Sequence, residues 1–271
     1  MLFVVCENEC NDNINKYMMK IYNINFSPTG GTKKVSDLLS SQLSESVSNV
    51  DLTDCKTDFS EIELTEEDVA IIAVPSYSGR VPAPAARRVA AIQAGGAKAV
   101  LVCVYGNRAY EDTLVELSDI AQRAGFRVMA AVAAVAEHSI ARRFAAGRPD
   151  EQDMAQLTEF ALRIRQKLSL DNMNVPEIPG HRPYRKAKAV GLIPKPTKEC
   201  INCGVCAVKC PVSAIDKNHI RQIDKQTCIS CMRCVAVCPH SARKVNRILL
   251  WVVNRMLKKV CSQRKDNELY L

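Results

Sequence analysis

Nowhere does the chain run for about 18 consecutive apolar residues, so none of its 271 residues form a segment built to span a bilayer. The opening MLFVV has neither the basic flank nor the longer apolar core of a secretory signal. Both phosphate-binding consensus patterns of nucleotide enzymes, G-x4-G-K-[ST] and G-x-G-x-x-G, are missing. NAD(P)H is therefore not expected to bind this chain directly. No Ser/His/Asp or Cys/His spacing suggests a nucleophilic catalytic set, and no catalytic residue is assigned. Aromatics make up only 5% of the chain, with no basic–aromatic interleaving and no base-reading motif, which excludes a nucleic-acid partner.

Cysteine is the exception, at 13 residues. Eight of them form one phrase written twice. Cys200, Cys203, Cys206 and Cys210, then Pro211, read C-x2-C-x2-C-x3-C-P, and Cys228, Cys231, Cys234 and Cys238, then Pro239, repeat it. Each cysteine lies 28 positions from its counterpart, an internal duplication. Three thiolates spaced two apart on a tight loop can each reach a different iron on one face of a cubane. The fourth, three residues on and followed by proline, points to the other cluster. Crossed ligation then assigns Cys200, Cys203, Cys206 and Cys238 to one [4Fe–4S] cluster, and Cys228, Cys231, Cys234 and Cys210 to a second. A tetrahedral zinc site needs no third cysteine two residues on, and a disulfide framework needs an oxidising compartment. The remaining thiols, Cys6, Cys10, Cys55, Cys103 and Cys261, show no pairing logic, so a reducing, cytoplasmic setting is expected.

Over residues 198–244 the phrase resembles the bacterial two-cluster ferredoxins. Met232 departs from the repeat, standing where the first copy has Gly204. Charge is divided unevenly. Residues 1–170 carry 18 Lys+Arg against 22 Asp+Glu, whereas residues 171–271 carry 19 against 7. A basic cluster module docks either on its own acidic front half or on an acidic redox partner protein.

The front half has an α/β rhythm. Ile21–Phe26, Val50–Leu52, Val69–Val74, Ala99–Val104 and Val128–Val135 read as strands, and Lys33–Leu43, Pro84–Gln93, Asp112–Ala124 and Glu151–Leu168 as helices. Residues 54–67 are too short and polar for a full helix. The pattern predicts a doubly wound, five-stranded parallel sheet. Between the first strand and helix lies Ser27-Pro28-Thr29-Gly30-Gly31-Thr32, where free N–H groups and the helix dipole favour an anion such as a phosphate monoester. Two further loops, 75–82 and 105–110, should meet it at the carboxyl edge of the sheet. Each brings an aromatic ring and a glycine.

On these loops residues 20–168 resemble flavodoxin. The resemblance implies that Ser27, Thr29, Gly30, Gly31 and Thr32 hold an FMN phosphate. It implies that Tyr77 or Tyr105 flanks the ring system, that Gly79 or Gly106 offers backbone groups to its polar edge, and that Ser76 and Asn107 lie beside them. Tyr110, Arg80 and Arg108 read as ordinary surface groups, and His138 as a helix-entry residue capped by Ser139.

The domains expected are an extension over 1–17, a flavodoxin-like FMN-binding domain over 18–170 and a basic proline-rich linker over 171–196. A small α+β ferredoxin-like domain over 197–244 follows, then a basic amphipathic helix and tail over 245–271. The linker is either a solvated tether or a strap on the acidic face. The helix has Val245, Leu249, Val252, Val253, Met256 and Val260 on one side, which should pack on one of the domains rather than on a membrane surface. Trp251 falls off that side and is a candidate partner contact. Taken together, the resemblances imply an electron-transfer protein that relays electrons between FMN and two [4Fe–4S] clusters to or from a protein redox partner. The alternative is a flavin-dependent reductase of a small acceptor, fed by its own clusters.

Overall fold

The computed structural model describes residues 20–170, 174–187 and 191–271, and the extension expected over 1–17 lies outside them. Five strands form a parallel sheet: β1 (Ile21–Asn25), β2 (Val47–Asp51), β3 (Val69–Pro75), β4 (Lys98–Tyr105) and β5 (Arg127–Val135). Their order, β2-β1-β3-β4-β5, is the flavodoxin-like winding. Strands β3, β4 and β5 are almost continuously buried, as a parallel strand covered on both faces must be.

The covering helices divide the core in two. Helices α1 (Gly31–Leu43) and α4 (Glu151–Ser169) bury Val35, Leu39, Leu157 and Ile164 against Ile71, Val100 and Val132. Across the sheet, α2 (Ala83–Ala91) and α3 (Thr113–Arg123) bury Val89, Leu114 and Leu117 against Ile72 and Leu101. Residues 54–67 hold only the single 3-10 turn Phe59–Glu61, in keeping with their polarity.

The sheet has a sixth member that periodicity does not reveal. Strand β8 (Glu268–Tyr270), from the carboxyl tail, pairs antiparallel with β5, with Val132 opposite Leu269. Asn267 secures its start. Its side-chain oxygen accepts the Val135 N–H at 2.9 Å and its amide donates to Asp153 at 3.1 Å and Gln156 at 2.8 Å.

Of the two readings of the linker, the strap describes residues 181–185. The Arg182 guanidinium donates to Asp119 at 2.6 and 2.8 Å, and Tyr184 donates to the same carboxylate. Asp112 accepts the backbone N–H of His181 at 3.0 Å and of Arg185 at 2.7 Å. Arg80 is not a free surface group: it pairs bidentately with Glu116 and donates to the Arg185 carbonyl, each at 2.7 Å. Arg108 pairs with Glu111.

The cluster-bearing segment contains the short strands β6 (Lys195–Pro196) and β7 (Arg243–Lys244), paired antiparallel, and two single-turn helices, α5 (Val205–Val208) and α6 (Arg233–Ala236). Helix α7 (Arg247–Cys261) follows, its first turn capped by Asn246. It packs on the front domain, but through only a small part of the face expected to be covered. Only the row Val253, Leu257 and Cys261 meets the front domain, at Ala141 and Phe144. Leu249, Val252, Met256 and Val260 stay exposed.

Candidate functional site

The duplication in sequence is a duplication in backbone. Left-handed φ values occur at Asn202 and Ser230, at Gly204 and Met232, and at Ser213 and Ser241, each pair 28 residues apart. Cys210 Sγ accepts the Ala214 N–H at 3.3 Å, and Cys238 Sγ accepts the Ala242 N–H at 3.2 Å. Such N–H···S contacts favour sulfur that carries negative charge.

The eight thiols part into two cavities, and not by repeat. One is lined by Cys200, Cys203, Cys206 and Cys238. The other is lined by Cys210, Cys228, Cys231 and Cys234. The fourth cysteine of each repeat thus faces the other repeat's three. Among the described residues no three His, Cys, Asp or Glu converge closely enough to hold a single ion; the thiols stand around the walls of each cavity. Burial pushes the Cys231 and Cys234 thiols up to about 12 each, so ionising them calls for a strongly positive centre such as iron.

Arg243 tests whether an iron–sulfur cluster fits. It lines the first cavity and is 2% exposed, and its charge also acts on the Cys228 and Cys234 thiols of the second. One terminal nitrogen donates to the Ile220 carbonyl. The Nε and Nη1 groups find no acceptor among the described residues. A buried guanidinium with two idle nitrogens is costly unless an anion lies beside it. A cubane held by four thiolates is such an anion, and the site fits it. Replacing Arg243 with Gln is expected to lower cluster midpoint potentials in an EPR-monitored titration. The scale is on the order of 1–2 kcal/mol of charge interaction at an effective dielectric of about 20. Unchanged potentials would exclude this role.

Across the carboxyl edge of the main sheet lies a third cavity, lined by Thr29, Gly31, Thr32, Ser76, Tyr77, Tyr105, Gly106 and His138, among others. Seven of the eleven residues named for the flavin meet here. Gly30, left-handed at φ 94°, lines the adjoining and larger cavity of about 330 Å³. Three face elsewhere. Ser27 Oγ accepts the Lys33 N–H at 2.9 Å and so shapes the loop from behind. Gly79 lies under Glu111 and Arg185. Asn107 donates to the Cys261 and Gln263 carbonyls at 2.8 and 2.7 Å, which tie down the tail.

His138 is not a helix-entry residue: no helix begins there, and its ring packs so closely on Gly106 that a Cβ would meet it at 2.7 Å. Its Nδ1 accepts the N–H groups of Ile140 and Ala141, each at 3.2 Å, and burial, with the Arg108 charge adding to it, holds the imidazole below its ordinary pKa. It is a neutral wall of the cavity. A strand, a glycine-bearing loop with hydroxyls and a helix amino end offer a phosphate what it needs, while Tyr77 and Tyr105 line the same space. These residues fit a flavin mononucleotide.

The cavities adjoin. Met232, 4% exposed, lines both the second thiol cavity and the large cavity at the phosphate loop. Its φ of 62° is costly for a side-chain-bearing residue at a position where the first repeat has glycine. Burial, and then the charge of the neighbouring Cys231, raise the Tyr77 phenol well above its usual pKa. Arg233 donates to the Ser27 and Pro28 carbonyls at 3.3 Å, and Arg88 donates to the Pro211 carbonyl at 2.7 Å. Met232 and Arg233 were legible only as a broken repeat and a basic residue; nothing in the sequence says that they join the two halves.

Residues 199–242 match the family described as a 4Fe-4S dicluster domain. Among solved structures, an archaeal flavodoxin is 14% identical and aligns with 56% of this chain and 99% of its own, at a TM-score of 0.41. A flavodoxin of Streptococcus pneumoniae TIGR4 is 19% identical over 55% and 99%, at 0.38. The apo form of an NADH:FMN oxidoreductase, EMOB, is 17% identical over 55% and 89%, at 0.42. A search of the curated proteins found no match. The chain thus joins a flavodoxin-like fold, carried by its strand order, to a ferredoxin-like iron–sulfur region.

Proposed function

We propose that this chain relays electrons between an FMN at the sheet edge and a protein redox partner, through two [4Fe–4S] clusters in series. Bound in these cavities, a flavin would exchange electrons in pairs and each cluster one at a time. The protein contributes distance, burial and order. The observation that carries the reading is the shared wall at Met232, which puts the second thiol set, Cys210, Cys228, Cys231 and Cys234, next to the phosphate loop. The first set is then the outer one. Its Cys203 is exposed, and Ile201 beside it is 64% exposed, which leaves an edge for a partner. Lys198 and Lys209 flank that edge in sequence, and an acidic partner suits them.

The residues have separable tasks. Thr29, Gly31 and Thr32 bind the phosphate, Tyr77 and Tyr105 orient the ring system, and Tyr77 and Met232 keep water out of the gap to the second cluster. A second reading, reduction of a small acceptor, draws on the cavity of about 330 Å³ with Lys34, Arg142 and Arg148 in its wall.

Stopped-flow mixing of the anaerobically reduced protein with an oxidised acidic one-electron carrier tests the relay. In Cys231→Ser, flavin reoxidation by the carrier is expected to slow by about tenfold or more, a barrier rise of about 1.4 kcal/mol or above. An unchanged rate, or protein that binds no flavin, would sink the relay. Turnover of small anionic acceptors at rates above the carrier reaction would favour the reductase.

A further inference from the structure

Helix α7 has three faces. One is buried on Ala141 and Phe144. A second presents Leu249, Val252, Met256 and Val260 to solvent, with Met256 73% exposed; Ile248 and Trp251, 73% and 62% exposed, stand toward the cations beside it. The third presents Arg247, Arg255, Lys258 and Lys259, all exposed. None of these four cations is ion-paired among the described residues; Arg255 instead stacks over Trp251 at 5.9 Å. Across residues 225–265 there are ten Lys and Arg and no Asp or Glu.

We infer that α7 seats the protein on an anionic lipid surface. The apolar row is an exposed ridge of the helix, and the only tryptophan of the chain stands beside it among the cations, under Arg255. Flexible cations beside such a ridge suit a sheet of negative headgroups, with the apolar row sunk to the acyl boundary. A second copy of the chain would bring two acid-free basic faces together, which like charge disfavours. Among the described residues no helix is long and apolar enough to cross a membrane, so the association is peripheral. The inference is independent of the electron-relay reading, since neither cluster nor flavin takes part in it.

Flotation of the full-length protein with phosphatidylcholine vesicles, with and without phosphatidylglycerol, tests it. Binding to the anionic vesicles is expected to be about tenfold or more tighter, and to weaken strongly between about 0.1 M and about 0.5 M salt. The double variant Ile248→Ser, Trp251→Ser alters only exposed side chains, should keep the wild-type far-ultraviolet circular dichroism, and is expected to lose about tenfold or more of the binding. Three results overturn the inference: no flotation of the wild type, flotation indifferent to lipid charge, or no vesicle binding by a protein that forms dimers or captures an acidic protein through the same side chains.

Discussion

Cys238→Ser is expected to empty the first thiol set and leave the second intact, although Cys238 belongs to the second repeat. By sequence its neighbours are Cys228, Cys231 and Cys234; in the fold it shares a cavity with Cys200, Cys203 and Cys206. Anaerobically purified Cys238→Ser should therefore hold about four irons in place of about eight, and share its EPR spectrum with Cys203→Ser. Cys210→Ser should pair instead with Cys231→Ser. Iron content alone does not separate crossed from local ligation, because either scheme loses one cluster. The pairing of phenotypes does. If Cys238→Ser matched Cys231→Ser, each repeat would be binding its own cluster and the order proposed for the relay would fail with it. Crossed ligation makes a further demand: Cys238→Ser keeps the cluster next to Met232, so electrons from the flavin still reach iron but go no further.

The cysteine phrase made the back of the molecule legible because a covalent requirement fixes its spacing. Continuous apolar runs made β3, β4 and β5 legible for a similar reason: burial on both faces allows little else. The loops at the carboxyl edge of the sheet were half legible. Thr29, Gly31 and Thr32 follow from strand–loop–helix geometry, whereas Gly79 and Asn107 were named by their position in a loop, and position does not say which way a residue faces. Gly79 has Glu111 against it and Asn107 holds the tail, both through residues distant in sequence. Helix α7 shows the same limit. Its amphipathic pattern tells that an apolar face exists and not which one is covered: the row at Val253, Leu257 and Cys261 is covered, and the broader row is not. Strand β8 left no trace, because three residues cannot show a period.

That short strand depends on one carboxylate, and removing it is expected to have the largest effect on stability. Asp153, fully buried, receives both arms of the Arg148 guanidinium and further bonds at 3.1 Å from Arg264 and from Asn267. It also accepts the Asp150 N–H at 3.0 Å while Asp150 accepts its own at 3.1 Å, a reciprocal cap on α4. Asp153→Ala would leave Arg148, itself 6% exposed, as an uncompensated buried cation. The cost is expected to be about 3–5 kcal/mol in denaturant unfolding. Arg264→Ala removes a partly exposed contributor to the same cluster and should cost no more than about 1 kcal/mol. Hydrogen exchange should show β8 opening before the parallel strands in Asp153→Ala, because Asn267 loses its anchor at the point where the tail enters the sheet. Acid acts on the neighbouring group with a definite sign. The Arg264 hydrogen bond holds Asp150 well below the usual carboxylate range, so its contribution is fully present above the unfolded value of about 3.9 and is lost as pH falls below it. In the wild type this tie should accordingly be lost at acid pH, and Arg264→Ala, which lacks the tie at every pH, should lose that part of the acid dependence. If Asp153→Ala and Arg264→Ala proved equally mild, the buried pair would not be what fastens the last strand to the sheet.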